Sequence, residues 1–91
     1  MRHLIRKRIV FQGFVQGVGF RYRAHQAAEM FGCTGWVRNE YNGTVTMEIQ
    51  GKEKAIDRVL QALSEGRFIR ITDMETRSIP LEENERSFRT Y

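Results

Sequence analysis

Between Phe14 and Arg23 the chain reads FVQGVGFRYR, which sets Gly17, Gly19 and Arg21 close together where an apolar run gives way to a polar one. Glycines at such a point let the backbone curl until several N–H groups face one concavity, and a nest of that kind attracts anions. A helix beginning near Arg21 adds the positive end of its dipole, so a phosphate there would meet aligned donors and a fixed partial charge. Arginine suits the position because its planar fork matches two phosphate oxygens at once, whereas lysine offers one compact charge. Locally two readings stand side by side: an anion-holding loop closed by Arg21, or a tight turn followed by a solvated arginine. The named glycine motifs do not decide between them. Gly17 and Gly19 begin a dinucleotide-type G-x-G-x-x-G, but Tyr22 stands where the third glycine belongs, and no Gly-Lys-Ser/Thr follows.

These residues need a strand before them and a helix after them. Ile9, Val10, Phe11, Phe14 and Val15 are a β-branched and aromatic mix that predicts a strand over Arg8–Val15. Phe20, Ala24, Ala27, Ala28 and Phe31 share one helical face, and Gly32 stops that helix. Thr34–Glu40 and Thr44–Gln50 flank an Asn-Gly pair at Asn42 and Gly43, the strongest short signal for an antiparallel hairpin. A second helix is expected over Lys52–Glu65, since Ala55, Ile56, Val59, Leu60 and Leu63 recur at helical spacing before Gly66. Phe68–Ile79 reads as extended with a bulge, because Ile69, Ile71 and Met74 break strict alternation, and Pro80 ends it. A short last strand is expected over Ser87–Tyr91. The order β, α, β, β, α, β predicts an α+β, ferredoxin-like sandwich with two helices on one face of a four- to five-stranded antiparallel sheet.

With 91 residues the chain is expected to be a single domain over 1–91, a size that buries roughly 60 to 65 % of its unfolded surface and leaves little room for a deep enclosed cavity. Fifteen Lys and Arg against 11 Asp and Glu give a net charge of +4, which favours anionic partners without naming one. The lone cysteine, Cys33, excludes an internal disulfide and a multi-cysteine zinc site, and fits a reducing compartment. No stretch approaches the roughly 18 apolar residues of a membrane span, and the basic start MRHLIRKRIVF has no apolar run of signal-peptide length. The expectation is a cytoplasmic monomer with no membrane partner.

VQGVGFR at Val15–Arg21, GWVRN at Gly35–Asn39 and the Asn-Gly pair three residues later resemble the acylphosphatase family, most closely from Arg8 to Gly51. Two departures stand out: KEK follows Gly51 where the family often has prolines, and Thr90 replaces a usual aliphatic residue, both expected to bear on stability. The resemblance implies the same ferredoxin-like fold. It also implies hydrolysis of an acyl phosphate to a carboxylate and inorganic phosphate, without a metal or organic cofactor. Carried onto this chain, it implies that the backbone of Gln16, Gly17, Val18, Gly19 and Phe20, with the Arg21 side chain, binds the phosphoryl group, and that Asn39 orients the attacking water. The parity of the hairpin agrees: Val37 and Asn39 fall on the same side of their strand, so a helix-facing Val37 brings Asn39 out near the loop.

Other residues carry plainer expectations. Arg2, Arg6, Lys7 and Arg8 read as a solvated N-terminus, Arg23 as solvated or salt-bridging, His25 as a surface residue and Cys33 as a packed thiol. Trp36 and Tyr22 read as aromatics of the open sheet face or of a helix contact. The alternatives to an enzyme are a non-catalytic phosphate-binding module and an RNA-binding module of the same fold. The second fails on detail: QGVGFRYR matches the RNA-recognition signature at three positions and leads into the wrong element, while TVTMEIQ in the third strand offers no aromatic for a base to stack on. No nucleic-acid partner is expected. Similar domains also begin larger carbamoyl-phosphate-handling maturation proteins, which carry further domains and whose loop usually continues to a proline where this chain has Tyr22; this chain is not expected to be one of them.

Overall fold

Alternation of side chains carries the first strand further back than its apolar run. In the computed structural model, which describes residues 3–91, β1 spans Leu4–Phe14, because Arg6 and Arg8 keep the two-residue period on the face away from the core. Then follow α1 (Phe20–Met30), β2 (Thr34–Asn39), β3 (Val45–Lys52), α2 (Glu53–Ser64), β4 (Arg70–Ile79) and β5 (Phe88–Thr90). The sheet order is β4-β1-β3-β2-β5. Its first four strands are antiparallel neighbours, as the ferredoxin-like reading requires.

The expected sheet was antiparallel throughout, and here the structure differs: β5 pairs with β2 in parallel, making the sheet mixed. The reason is topological. β4 and β5 lie at opposite edges, and one short connection turns the chain back on itself. β2 also runs against β4, so the returning strand aligns with it. The expected bulge is present: Gln12 pairs with Asp73 and Gly13 with Ile71, leaving Thr72 as the extra residue of β4.

One face of the sheet presents Ile9, Phe11, Val37, Val45, Met47 and Ile49 to Phe20, Ala24, Ala27 and Ala28 of α1 and to Ile56, Val59 and Leu63 of α2. Each large member of this set contributes about 1.5–3 kcal/mol on burial. Phe11 and Phe20 meet edge to face, with centroids 4.8 Å apart, fixing the start of α1 on the end of β1.

The opposite face corrects a second expectation. Arg2 lies outside the described residues, but Arg6, read as solvated, is 2 % exposed. The connection between β4 and β5 crosses the sheet above it and brings Glu85 Oε1 to 2.7 Å from Arg6 Nη1, while Glu48 Oε1 lies 3.0 Å from Nη2. Gln50 fastens the same connection, accepting from Glu82 N at 2.8 Å and donating to Glu82 O at 3.1 Å. Burial would raise the Glu48 carboxyl, yet hydrogen bonds and charge from Arg6 and Arg8 outweigh it and hold the group below its ordinary value. Trp36 lies on this face too, with the guanidinium groups of Arg38 and Arg8 at 5.0 and 5.7 Å from its ring. Cys33 is buried, and burial pushes its thiol up to about 11. No helix among the described residues is long and apolar enough to cross a membrane.

Candidate active site

The loop between β1 and α1 is pinned at both ends, since Val15 and Phe20 are buried in the core. Between them Gly17 and Gly19 adopt φ of 73° and 79°. A Cβ at either would meet nothing within 4 Å, so the requirement is conformational: the left-handed backbone turns the loop at each glycine. Gly19 is the N-cap of α1, where no side chain caps the helix and no acid stands in the first turn. The orphan N–H groups of that turn therefore have no side-chain acceptor and open, with the helix dipole, toward an incoming anion.

Arg21 follows in the first turn, and its Nη1 donates to the Tyr91 main-chain oxygen at 2.7 Å. That bond orients the guanidinium while leaving most of its donors free. Asn39 ends β2 opposite Val45, which itself pairs with Phe11, so it stands on the helix-covered face as parity foretold. Its Oδ1 is buried and has no hydrogen-bond partner among the described residues. Gln16 explains how loop and hairpin stay together: its Nε2 donates to the carbonyls of Glu40 at 2.7 Å and Thr44 at 2.9 Å, either side of the β2–β3 turn. Beside Asn39, the Glu40 carboxyl is held below its ordinary value by hydrogen bonding from Thr46 and then by Arg38.

An open cleft of about 590 Å³ unites these parts, with Gly17, Gly19, Phe20, Arg21 and Asn39 in its wall. Of the other loop residues, Gln16 turns its side chain to the hairpin, and Val18 packs against the core beside a neighbouring groove. Three further residues line the cleft that the sequence reading placed elsewhere: Tyr22, His25 and Thr90. His25 is not merely a surface residue. It lies one turn beyond Arg21, with Nδ1 buried and unpartnered and Nε2 3.5 Å from Glu29 Oε2. Its i, i+4 spacing from Arg21 was the available signal. Thr90, whose departure was ascribed to stability, comes into the wall because β5 docks beside β2. Arg23 stays out of the cleft, as expected, but donates from Nε to the Ala62 carbonyl at 2.6 Å, tying α1 to α2. Among the described residues no group of three or more His, Cys, Asp or Glu is placed to hold a metal ion.

The family model for acylphosphatase matches residues 7–90. An acylphosphatase of Oceanobacillus iheyensis is 43 % identical over 81 residues, covering 87 % of this chain and 86 % of its own. The crystal structure of acylphosphatase from Bacillus subtilis superposes with a TM-score of 0.87 at 32 % identity, covering 96 % of this chain and 98 % of that one. Full-length HypF in its phosphate- and nucleotide-bound form contains a similar region, with a TM-score of 0.88 and 25 % identity, that makes up 12 % of its chain.

Proposed function

The chain belongs to the acylphosphatase family, and we propose that it hydrolyses acyl phosphates with the backbone of Gln16–Phe20 and the Arg21 guanidinium holding the phosphoryl group and Asn39 orienting the water. The observation that carries these roles is a single cleft in which glycine-turned, uncapped helix N–H groups, a largely uncommitted arginine and a buried unpartnered amide oxygen meet.

Phosphoryl transfer makes modest covalent demands on a protein; it rewards positioning and charge stabilisation on the equatorial oxygens. The loop N–H groups and Arg21 supply that stabilisation. Asn39 holds a water in line with the departing oxygen. The water oxygen bonds to phosphorus as the bond from phosphorus to the acyl oxygen breaks, and the electron pair leaves on the carboxylate. A carboxylate is the anion of an acid of pKa about 4, so its departure needs no general acid. An amide is too weak a base to take the water's proton, which passes to a phosphate oxygen of the substrate itself. We extend the reading to a monomer working in the cytoplasm, in keeping with a sole cysteine held as a free buried thiol.

The test is the loss of benzoyl phosphate in the presence of chelator, with inorganic phosphate as competitor. Wild-type protein hydrolyses it and is inhibited by phosphate. Asn39→Ala lowers kcat by about 10²–10³-fold while phosphate inhibits as before. Equal loss of turnover and of phosphate binding in that variant contradicts the role given to Asn39, and no hydrolysis by the wild-type protein contradicts the enzyme.

A further inference from the structure

We infer that the groove between Tyr22 and Phe68 receives the acyl portion of the substrate, and that it favours aromatic acyl phosphates over small aliphatic ones. The inference rests on the hydrolytic reading above and assigns the half of the substrate that the phosphate loop leaves unspecified.

Sheet order supplies the direction. The phosphate loop leaves the end of β1; β2, with Asn39, lies to one side of β1, and β4 lies to the other. Phe14 pairs with Arg70, so the segment entering β4 reaches the same rim as the phosphate loop. In-line displacement sends the leaving group away from the attacking water. A water held on the β2 side therefore drives the carboxylate, and the group it carries, toward the residues just before β4.

A groove already lies there. Val18, Gly19 and Tyr22 form one wall and Arg67, Phe68 and Ile69 the other. Gly19 and Tyr22 also line the phosphate cleft, so the groove adjoins it across these two residues. Tyr22 and Phe68 are 71 % and 69 % exposed and line the same groove, so two aromatic faces are offered there for a ring to pack between or beside them. Their walls are firm: Arg23 bonds to the Ala62 carbonyl behind the groove, Ile69 N donates to Gly66 O at 3.2 Å, and Ile69 is buried. The Arg67 guanidinium rests 5.4 Å above the Phe68 ring and holds one face of it.

Phe68→Ala tests the assignment because the side chain is exposed and lies outside the phosphate loop and α1. The ratio of kcat/KM for benzoyl phosphate to that for acetyl phosphate should fall about three- to tenfold, through KM, with acetyl phosphate turnover and inhibition by inorganic phosphate unchanged. Tyr41→Ala, which removes a still more exposed aromatic from the turn that follows β2, should leave the ratio where it was. A ratio unmoved by Phe68→Ala, or moved as far by Tyr41→Ala, overturns the assignment while acetyl phosphate turnover leaves the hydrolase standing. Absence of turnover of both acyl phosphates by the wild-type protein overturns both.

Discussion

Two arginines on opposite faces of the sheet show what separates a residue that holds the fold from one free to hold a ligand. Arg6 is closed in, with all three guanidinium nitrogens bonded to Glu48, Gln50 or Glu85. Arg21, at the mouth of the phosphate loop, makes a single side-chain bond, to the Tyr91 main-chain oxygen. Nothing in residue type distinguishes them. The difference lies in acceptors: carboxylates converge on one, whereas among the described residues the other meets one main-chain oxygen. A saturated arginine adds to stability and does little else, and an unsaturated one beside a helix N-terminus retains most of its electrostatic work for a substrate.

Exchanging the readouts tests that division. Arg21→Gln should lower kcat/KM for an acyl phosphate by about 10³-fold or more, yet cost no more than about 1.5 kcal/mol in denaturant unfolding. Comparable destabilisation at both arginines would erase the distinction. Arg6→Gln should give the reverse, a loss of about 1.5–3 kcal/mol because Glu85 is left half-buried without this cation and Glu48 keeps only Arg8, with unchanged specific activity in the fraction that stays folded. Gln16→Ala should fall between, lowering kcat about tenfold with KM unchanged as the hairpin carrying Asn39 loosens from the loop, and a variant with full kcat would remove Gln16 from that role.

The smallest effect is acidic. Glu48 has a carboxyl held below its ordinary value, so its contribution is fully present above the ordinary range near pH 4.3 and is lost as pH falls through the lowered value. Thermal melts below about pH 4 should therefore decline more steeply for the wild-type protein than for Glu48→Gln. Parallel declines would mean that other carboxylates set the acid limit.

How much of this was legible in the sequence follows the reach of each signal. The phosphate loop was readable because its glycines, its arginine and the helix it feeds lie within one short stretch. The side of the sheet on which Asn39 emerges followed from parity alone, two residues from Val37. Arg6 was misread because the partners that bury it stand 42, 44 and 79 residues away, and no local pattern announces them. The direction of β5 and the presence of Thr90 in the cleft escaped for the same reason, whereas His25 was missed although it stands one helical turn from Arg21. A three-residue strand carries little periodicity, and the wall it completes exists only after it has crossed to the far edge of the sheet. Whatever depended on a neighbour within a turn or a hairpin was accessible; whatever depended on the last crossing was not.

That last crossing also bears on timing. The bond that steadies Arg21 joins residues 70 positions apart, and β5 is the most distant of the elements that shape the cleft. Contacts of long sequence separation form late, since the loop they close must first be ordered. In a chain emerging from the ribosome or recovering from denaturant, the phosphate loop can therefore curl on its glycines well before its arginine is steadied. Secondary structure should return first and turnover afterwards, so the reappearance of hydrolysis reports the docking of a three-residue strand rather than the formation of the helices.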